Sequence, residues 1–483
     1  AAPLSAFDPL DASAEANAHF GKSGTRTWNV EPQLEHRQKR GSHGYSALLG
    51  VTFQESLSKR LYVRAEDIQY DGLIENVSAG ERLASTNGYA QYRYSAIFGR
   101  FNYTFKDRYI INLTGRRDGS SRFGHGRRFA NFGAIGATWI FSDEAWLIEN
   151  LSLLSTGKWR GSYGVTGSDQ IGNYQYLDSY AVTMRPYLGI GLAPSRLANP
   201  EYAWETNRKL ELALELGFWR DRIYFSASWY RNRSSDQLVG LPLPAATGFP
   251  SVQYNLPATV QNTGWEFELA AGSIRSGAFA WTTSINWTMP RNKLIAYPGL
   301  EYSPYAASYR IGEPLMLRQL FRYTGVDPTN GLYTFDGGGD DVFTRSDEER
   351  TVIQRFGANG FGGMSHMFKY GGFQLDVFLQ YTRQSITSFA ANPIFTTPGR
   401  MSNQPASVMD RWSTLNPTAQ YQAFSVAADA LISHSYAWRY SDASIADGTF
   451  FRLKNVSLSY ALPTRLTARL PLRSCRLYAQ GQN

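Results

Sequence analysis

Lys209-Leu-Glu-Leu-Ala-Leu-Glu-Leu-Gly-Phe218 is the stretch that decides the fold class. Leu210, Leu212, Leu214, Leu216 and Phe218 fall on every second position, with Lys209, Glu211, Ala213 and Glu215 between them. A helix scatters residues of that spacing around its circumference, whereas a strand gathers all five apolar side chains on one face. Trp219-Arg220-Asp221-Arg222 supplies a short polar turn. Ile223, Phe225, Ala227 and Trp229 then resume the alternation against Tyr224, Ser226, Ser228 and Tyr230. The pair reads as a β-hairpin.

The same unit recurs to either side. Gly99, Phe101, Tyr103 and Phe105 alternate with Arg100, Asn102 and Thr104; Lys106-Asp107-Arg108 turns the chain, and Tyr109, Ile111 and Leu113 follow. Trp265, Phe267 and Leu269 alternate with Glu266 and Glu268, and Phe279, Trp281, Thr283, Ile285 and Trp287 with small or polar residues. Past Lys369-Tyr370-Gly371-Gly372 the pattern continues in Phe373, Leu375, Val377, Leu379 and Tyr381. Matching to the strand template gives about fifteen strands.

Short polar turns (106–108, 219–222, 370–372) join one end of the strand pairs. Segments around 166–203, 234–260, 291–350 and 384–448, rich in Gly, Pro, Asn, Tyr and Asp, join the other. Loops longer than about 15 residues are uncommon in compact water-soluble domains. Short turns on one side and long loops on the other characterise an outer-membrane β-barrel. A soluble sandwich or propeller also alternates, but no blade repeat of about 40–50 residues is visible. The expected fold is all-β, a transmembrane antiparallel β-barrel with long extracellular loops. Its apolar face, with Leu210, Leu212, Leu214 and Leu216, meets lipid, and its polar face lines the lumen. Trp139, Phe141, Phe218, Trp219, Trp229, Tyr230, Trp265 and Trp287 are expected in interfacial girdles.

Composition agrees. The 483 residues carry a net charge of +8, and 43% hydrophobic with 14% aromatic content excludes intrinsic disorder. The single cysteine, Cys475, excludes a disulfide framework and a cysteine-rich zinc site. No apolar run is long enough for a membrane-spanning helix. A mean hydropathy of −0.36 suits a barrel, because half of each strand and every loop are polar. Ala1-Ala2-Pro3-Leu4 shows no signal-peptide pattern.

Catalytic chemistry is not legible. His19, His36, His43, His125, His366 and His434 form no H-E-x-x-H helix face, and no phosphate-binding P-loop occurs. Arg160-Gly161-Ser162-Tyr163-Gly164 lacks the first glycine of a nucleophile elbow and sits in a strand context. Asp336-Gly337-Gly338-Gly339-Asp340-Asp341 lacks the spacing of a calcium loop and reads as a solvated loop. No enzyme, cofactor, metal or nucleic-acid partner is expected. The basic Arg116-Arg117, Arg122 and Arg127-Arg128 bracket one rim, where outer-membrane lipid headgroups and lipopolysaccharide phosphates are the expected partners.

Several segments resemble the SusC/RagA family of TonB-dependent outer-membrane transporters of Bacteroidota. They are Phe101-Asn-Tyr-Thr-Phe-Lys-Asp-Arg-Tyr109, Arg116-Arg-Asp-Gly-Ser-Ser-Arg-Phe-Gly124 and Ser162-Tyr-Gly-Val-Thr-Gly-Ser-Asp-Gln-Ile-Gly-Asn-Tyr174. Trp204-Glu-Thr206, Asn262-Thr-Gly-Trp-Glu266, Gly325-Val-Asp-Pro-Thr-Asn-Gly-Leu-Tyr333, Asp410-Arg-Trp412 and Phe451-Arg-Leu-Lys-Asn-Val-Ser-Leu-Ser-Tyr460 follow in order. The resemblance implies a barrel of about 22 strands, filled by an N-terminal plug. It implies nutrient import energised through TonB, a SusD-like surface lipoprotein as lid, and oligosaccharides or peptides as substrates. Residues 1–483 are then expected to be a partial barrel domain of a cell outer-membrane protein, with the plug and the last strands outside this sequence. Loop aromatics, with Tyr174, Tyr176, Tyr180, Tyr187 and Trp412 as candidates, are expected to stack on substrate. The alternative is a SusC-like barrel recruited as a structural component of a larger envelope complex with other envelope proteins.

Overall fold

The computed structural model describes residues 1–8, 15–185, 189–337, 349–391, 398–399, 403–424, 430–463 and 474–483. It divides into two units. The first comprises Ala1–Gly136, Gly164–Asn207 and Asp236–Leu256; the second comprises Ala137–Tyr163, Arg208–Ser235 and Pro257–Asn483. Among the described residues, sixteen strands belong to the long ladders of these units.

The first unit is built on one antiparallel ladder. The strands Asn17–Val30 and Gln33–Arg40 run in turn along His43–Ile68, from Asn17 opposite Glu66 down to Arg40 opposite His43. His43–Ile68 pairs with Gly80–Phe105, and that strand pairs with Tyr109–Ser120. The two central strands have 26 residues each. About 9–11 residues suffice to cross a bilayer, so the ladder has length to spare at the long-loop end.

Register sorts the side chains. Tyr45, Tyr103 and Ile111 stand in one row, and Ala47, Phe101 and Leu113 in the next, on the same apolar face. Ser46, Asn102 and Asn112 occupy the opposite face, where Asn102 donates to Asn112 at 2.5 Å. The hairpin after Phe105 turns on Lys106 (φ 52°) and Asp107 (φ 55°). Positive φ at both central residues gives the primed turn that matches strand twist. At the other end, short hairpins occupy what the sequence leaves as long loops: Ser179–Arg185 with Gly189–Arg196, and Gln237–Pro242 with Ser251–Leu256. Phe123 is fully buried there, its ring 6.1 Å from Tyr202 and 5.1 Å from Trp204.

The second unit contains most of Glu205–Phe218, followed in hydrogen-bonded order by Ile223–Ser235, Thr259–Ser276, Phe279–Ala296, Gly357–Tyr370, Phe373–Thr387, Phe450–Ala461 and Arg476–Gln482. The leucine strand thus starts earlier than its alternation shows. Trp219, Arg220 and Asp221 all adopt left-handed backbone in the turn that follows. The long-loop end again carries structure. Leu317–Leu320 pairs with Val352–Arg355, Tyr323–Val326 pairs with Tyr333–Phe335, and the helix Ala430–Arg439 packs against them. Phe321, Tyr333, Phe335, Ala437 and Trp438 form the apolar core of this small module. Burial raises the phenol pKa of Tyr323 to about 12.

Trp229 lies opposite Trp265 on the apolar face, where Trp265 is exposed. Tyr230 has the opposite parity and lies on the polar face, over Gly264, instead of joining a girdle. No helix among the described residues is long and apolar enough to cross a membrane, which bears on helices alone.

Candidate functional site

The polar face of the second unit carries a cavity of about 1220 Å³ at the long-loop end of the strands. Its geometry follows from register. Asn232 opposite Asn262, and Asn262 opposite Asn292, bring three amides into one row; Ser228, Glu266 and Thr288 form the next row but one on that face. Asn292 donates to Asn262 at 2.7 Å and accepts from the Leu315 backbone at 2.8 Å, which ties the loop above to the strands below. Between these rows Gly264 faces Tyr230 and Pro290. A Cβ at Gly264 would stand 2.6 Å from the Tyr230 hydroxyl, so the bare backbone lets the phenol ring lie flat across the strand.

Charges of both signs rim the cavity. Arg355 donates two hydrogen bonds to Glu313, at 2.7 and 2.9 Å, the fork geometry that suits guanidinium and carboxylate. The hydrogen bonds from Arg355 hold the Glu313 carboxyl below its ordinary range, and Glu313 raises Arg355 in return. Both residues are in loop or loop-end positions. Further down the same face, Glu215 accepts from Arg160 at 2.7 Å and Lys158 at 3.2 Å, and Arg160 reaches Glu211 at 3.5 Å. Ser162 lines the cavity from the interior of the strand Leu154–Ser168, without the strand–turn–helix setting of a nucleophile elbow. Among the described residues no cluster of three His, Cys, Asp or Glu side chains could hold a metal ion. Residues 338–341 of the acidic stretch lie outside the described residues.

The most conspicuous motifs meet elsewhere, in the first unit. Arg122 donates to Asn173 at 3.1 Å and to the Asp169 carbonyl at 2.8 Å, and its guanidinium lies 4.2 Å from the centre of the Tyr92 ring. Asp169 accepts from Tyr92 at 2.8 Å and from Ser120 at 2.7 Å. Arg116 donates to Asp118 and to Tyr94, and Arg127 pairs with Glu201. Arg116 and Arg122 are therefore engaged in half-buried networks and Arg127 in a surface ion pair, whereas Arg117 stacks on Phe129 and donates to Asn131 at 3.1 Å.

The candidate loop aromatics have varied surroundings. Tyr174, at φ 60°, accepts from the Gln91 backbone at 2.9 Å through its hydroxyl. Tyr176 packs beside Gly124, and its carbonyl accepts from Asn199 at 2.9 Å. Tyr180 is exposed, at 59% of its surface. Tyr187 lies outside the described residues. In the second unit, Trp412 donates to the Pro328 carbonyl at 3.2 Å, and its ring sits 2.6 Å from where Gly331, at φ 72°, would carry a Cβ. Leu210, Leu212, Leu214 and Leu216 share one face, and Leu212 is the exposed member. Asn292, Glu313 and Arg355 were not singled out by sequence. The amides are detectable only from parity against Trp265, and Glu313 and Arg355 stand in a long connecting segment without periodicity.

An all-antiparallel ladder with an apolar face and a charged, cavitied face agrees with the comparisons. Residues 6–392 match the family model described as TonB dependent receptor-like, beta-barrel. The chain belongs to that family. Over 97% of its length this TonB-dependent receptor-like barrel is 25% identical to the TonB-dependent receptor P26 of Formosa agariphila, covering 49% of that relative. Over 75% of its length it is 23% identical to the TonB-dependent receptor SusC of Bacteroides thetaiotaomicron, covering 37% of it. The solved RagAB peptide transporter superposes with a TM-score of 0.81 at 22% identity, over 100% of this chain and 54% of that one. The SusC/RagA resemblance is thereby shown, and the fold is a transmembrane-type β-barrel fold. The chain spans about half the length of the curated relatives it matches.

Proposed function

We propose that this chain is the greater part of the barrel of an outer-membrane, TonB-dependent importer. Its cargo is oligosaccharide or peptide, admitted beneath a SusD-like lipoprotein lid on the long-loop side. The observation that carries this reading is the polar cavity behind an apolar outer face, opening at the long-loop end of the strands. Amides at Asn232, Asn262 and Asn292 and charges of both signs at Lys209, Glu211, Glu266 and Arg355 suit hydroxyl-rich or zwitterionic cargo. Of the candidate loop aromatics, Tyr180 is the exposed one among the described residues and is the one to stack on a sugar ring or peptide side chain.

The free edge of Asn17–Val30 and that of Arg476–Gln482 pair with no strand among the described residues. Backbone groups left unpaired in hydrocarbon cost several kcal/mol each. Further strands of the same protein close these edges in our reading, and the plug and TonB contact lie with them. Deleting the gene and offering oligosaccharides and peptides as sole nutrient tests the function. Loss of growth on one class, restored by the gene, supports import. Undiminished growth on every candidate contradicts it and leaves a structural role in an envelope complex.

A further inference from the structure

The outward face of the first unit carries a second cavity, unrelated to the polar one. Register places Trp28, Glu55 and Arg93 in one row and Phe53 and Ser95 in the next, with Gly119 opposite Ser95. Together with Arg128 and Phe129 they line a groove of about 500 Å³. Its floor is aromatic and uncovered: Trp28 is 41% exposed, Phe53 48% and Phe129 57%. Phe129 lies flat over Gly119, 2.4 Å from where a Cβ would stand, so the missing side chain forms part of the floor.

The groove marks a boundary. On the short-turn side of it the same face carries Tyr45, Leu49, Ile97 and Phe101, an apolar band nine residues long from Tyr45 to Phe53, enough to cross a bilayer. On the long-loop side the face turns basic. Lys22, Arg26, Lys59 and Arg93 share its parity, and Arg117, opposite Ile97 and stacked on Phe129, stands on the same face at the upper end of the apolar band. Arg128 joins them at the groove. Glu55 is the acid on this stretch of the face, and it is engaged by Arg93 at 2.9 Å. Arg128 makes no ion pair among the described residues. Guanidinium forks above an aromatic floor, at the level where apolar surface ends, fit a molecule with phosphates at its head and acyl chains beneath.

We propose that this groove binds lipid A, the phosphorylated glycolipid anchor of lipopolysaccharide in the outer leaflet. Its phosphates meet Arg93, Arg117 and Arg128, and its sugar backbone and first acyl carbons rest on Trp28, Phe53 and Phe129. The proposal rests on the outer-membrane reading above. It narrows the lipopolysaccharide contact expected from sequence: of those five arginines Arg117 and Arg128 face this surface, Arg116, Arg122 and Arg127 are paired within the chain, and Arg93 is added from a neighbouring strand.

The test is binding to the full-length protein in detergent, measured by native mass spectrometry. The probes are bisphosphorylated lipid A, the same lipid without phosphates, and phosphatidylglycerol. Lipid A is expected to bind roughly tenfold tighter than either control. The R117E/R128E variant should weaken lipid A by roughly tenfold, and R117K/R128K should keep it within about threefold. Equal binding of the dephosphorylated lipid or of phosphatidylglycerol overturns the proposal, as does an unchanged affinity in R117E/R128E. Heat-modifiable gel migration verifies that the variants assemble; if the reversed pair does not, the ranking of the three lipids on the unmodified protein decides. Recovery of the protein outside the outer membrane refutes the location without altering that ranking, so the two failures are distinguishable.

Discussion

The Arg122–Asp169 cluster of the first unit and the polar cavity of the second use the same residue types to opposite ends. In the cluster each charged or hydroxyl group finds its partner inside the protein: Asp169 meets Arg122, Tyr92 and Ser120 at once. In the cavity Glu313 and Arg355 satisfy one another at the rim, while Lys209, Glu266 and Arg291 stand along open space. Motif prominence marks the first and almost nothing marks the second. Residues that fix a fold must be specified as a set, because a half-satisfied buried network costs more than none. Residues that meet cargo need only face the lumen.

Breaking the closed cluster should have the largest effect. Asp169→Ala leaves Arg122 charged without its carboxylate, and two hydroxyls without their acceptor. A loss of about 3–5 kcal/mol is expected for two hydroxyl hydrogen bonds to a half-buried carboxylate, at about 1.5–3 kcal/mol each, read as failed assembly or a lowered urea midpoint. Asp169→Asn should recover part of it. Next is the apolar face: Leu212→Lys should impair assembly by about 2–4 kcal/mol where the strand lies near the bilayer midplane, and a neutral result places Leu212 elsewhere. Gly264→Val pushes Tyr230 out of the row and should cost about 1–3 kcal/mol by overpacking, checked by urea titration.

The open cavity should respond least in stability. Glu313→Gln is expected to change unfolding free energy by under about 1 kcal/mol, since Arg355 is mostly exposed, while uptake falls. The pH sign follows from the lowered carboxyl of Glu313. Its contribution is complete above the unfolded carboxylate range and is lost as pH falls through the lower folded value. The Glu313–Arg355 contact should therefore persist unchanged from neutral pH to about pH 5 and weaken in more acid solution, as followed by the carboxyl signal of Glu313 in NMR. Weakening already near neutral pH contradicts the assignment.

How much was legible in sequence follows the membrane boundary. Within the apolar band alternation is strict, and the strands around Leu210–Phe218, Gly99–Phe105 and Phe373–Tyr381 are readable from it. Beyond the band both faces meet water. Ser56, Ser58, Lys59 and Arg60 are polar on either parity, so alternation does not mark the outer halves of the two 26-residue strands. The same cause hid the small hairpins and the Phe321–Trp438 module within apparent loops: their cores are small, and their apolar residues are spread across 117 positions of sequence. The cavity was the least legible part, because parity identifies Asn262 and Glu266 only once their strand is set against Trp265, and Arg355 reaches Glu313 across 42 positions.

An importer barrel requires lipid on one face of the ladder and water on the other. Single nitroxide labels in native outer membranes test this, placed at Leu212 and at Asn262 with Cys475, the one cysteine of these 483 residues, replaced by Ser. The label at 212 is expected to relax with oxygen and to be shielded from a water-soluble nickel reagent, while the label at 262 shows the reverse. Nickel access at 212 with oxygen access at 262 would invert the two faces and contradict that arrangement.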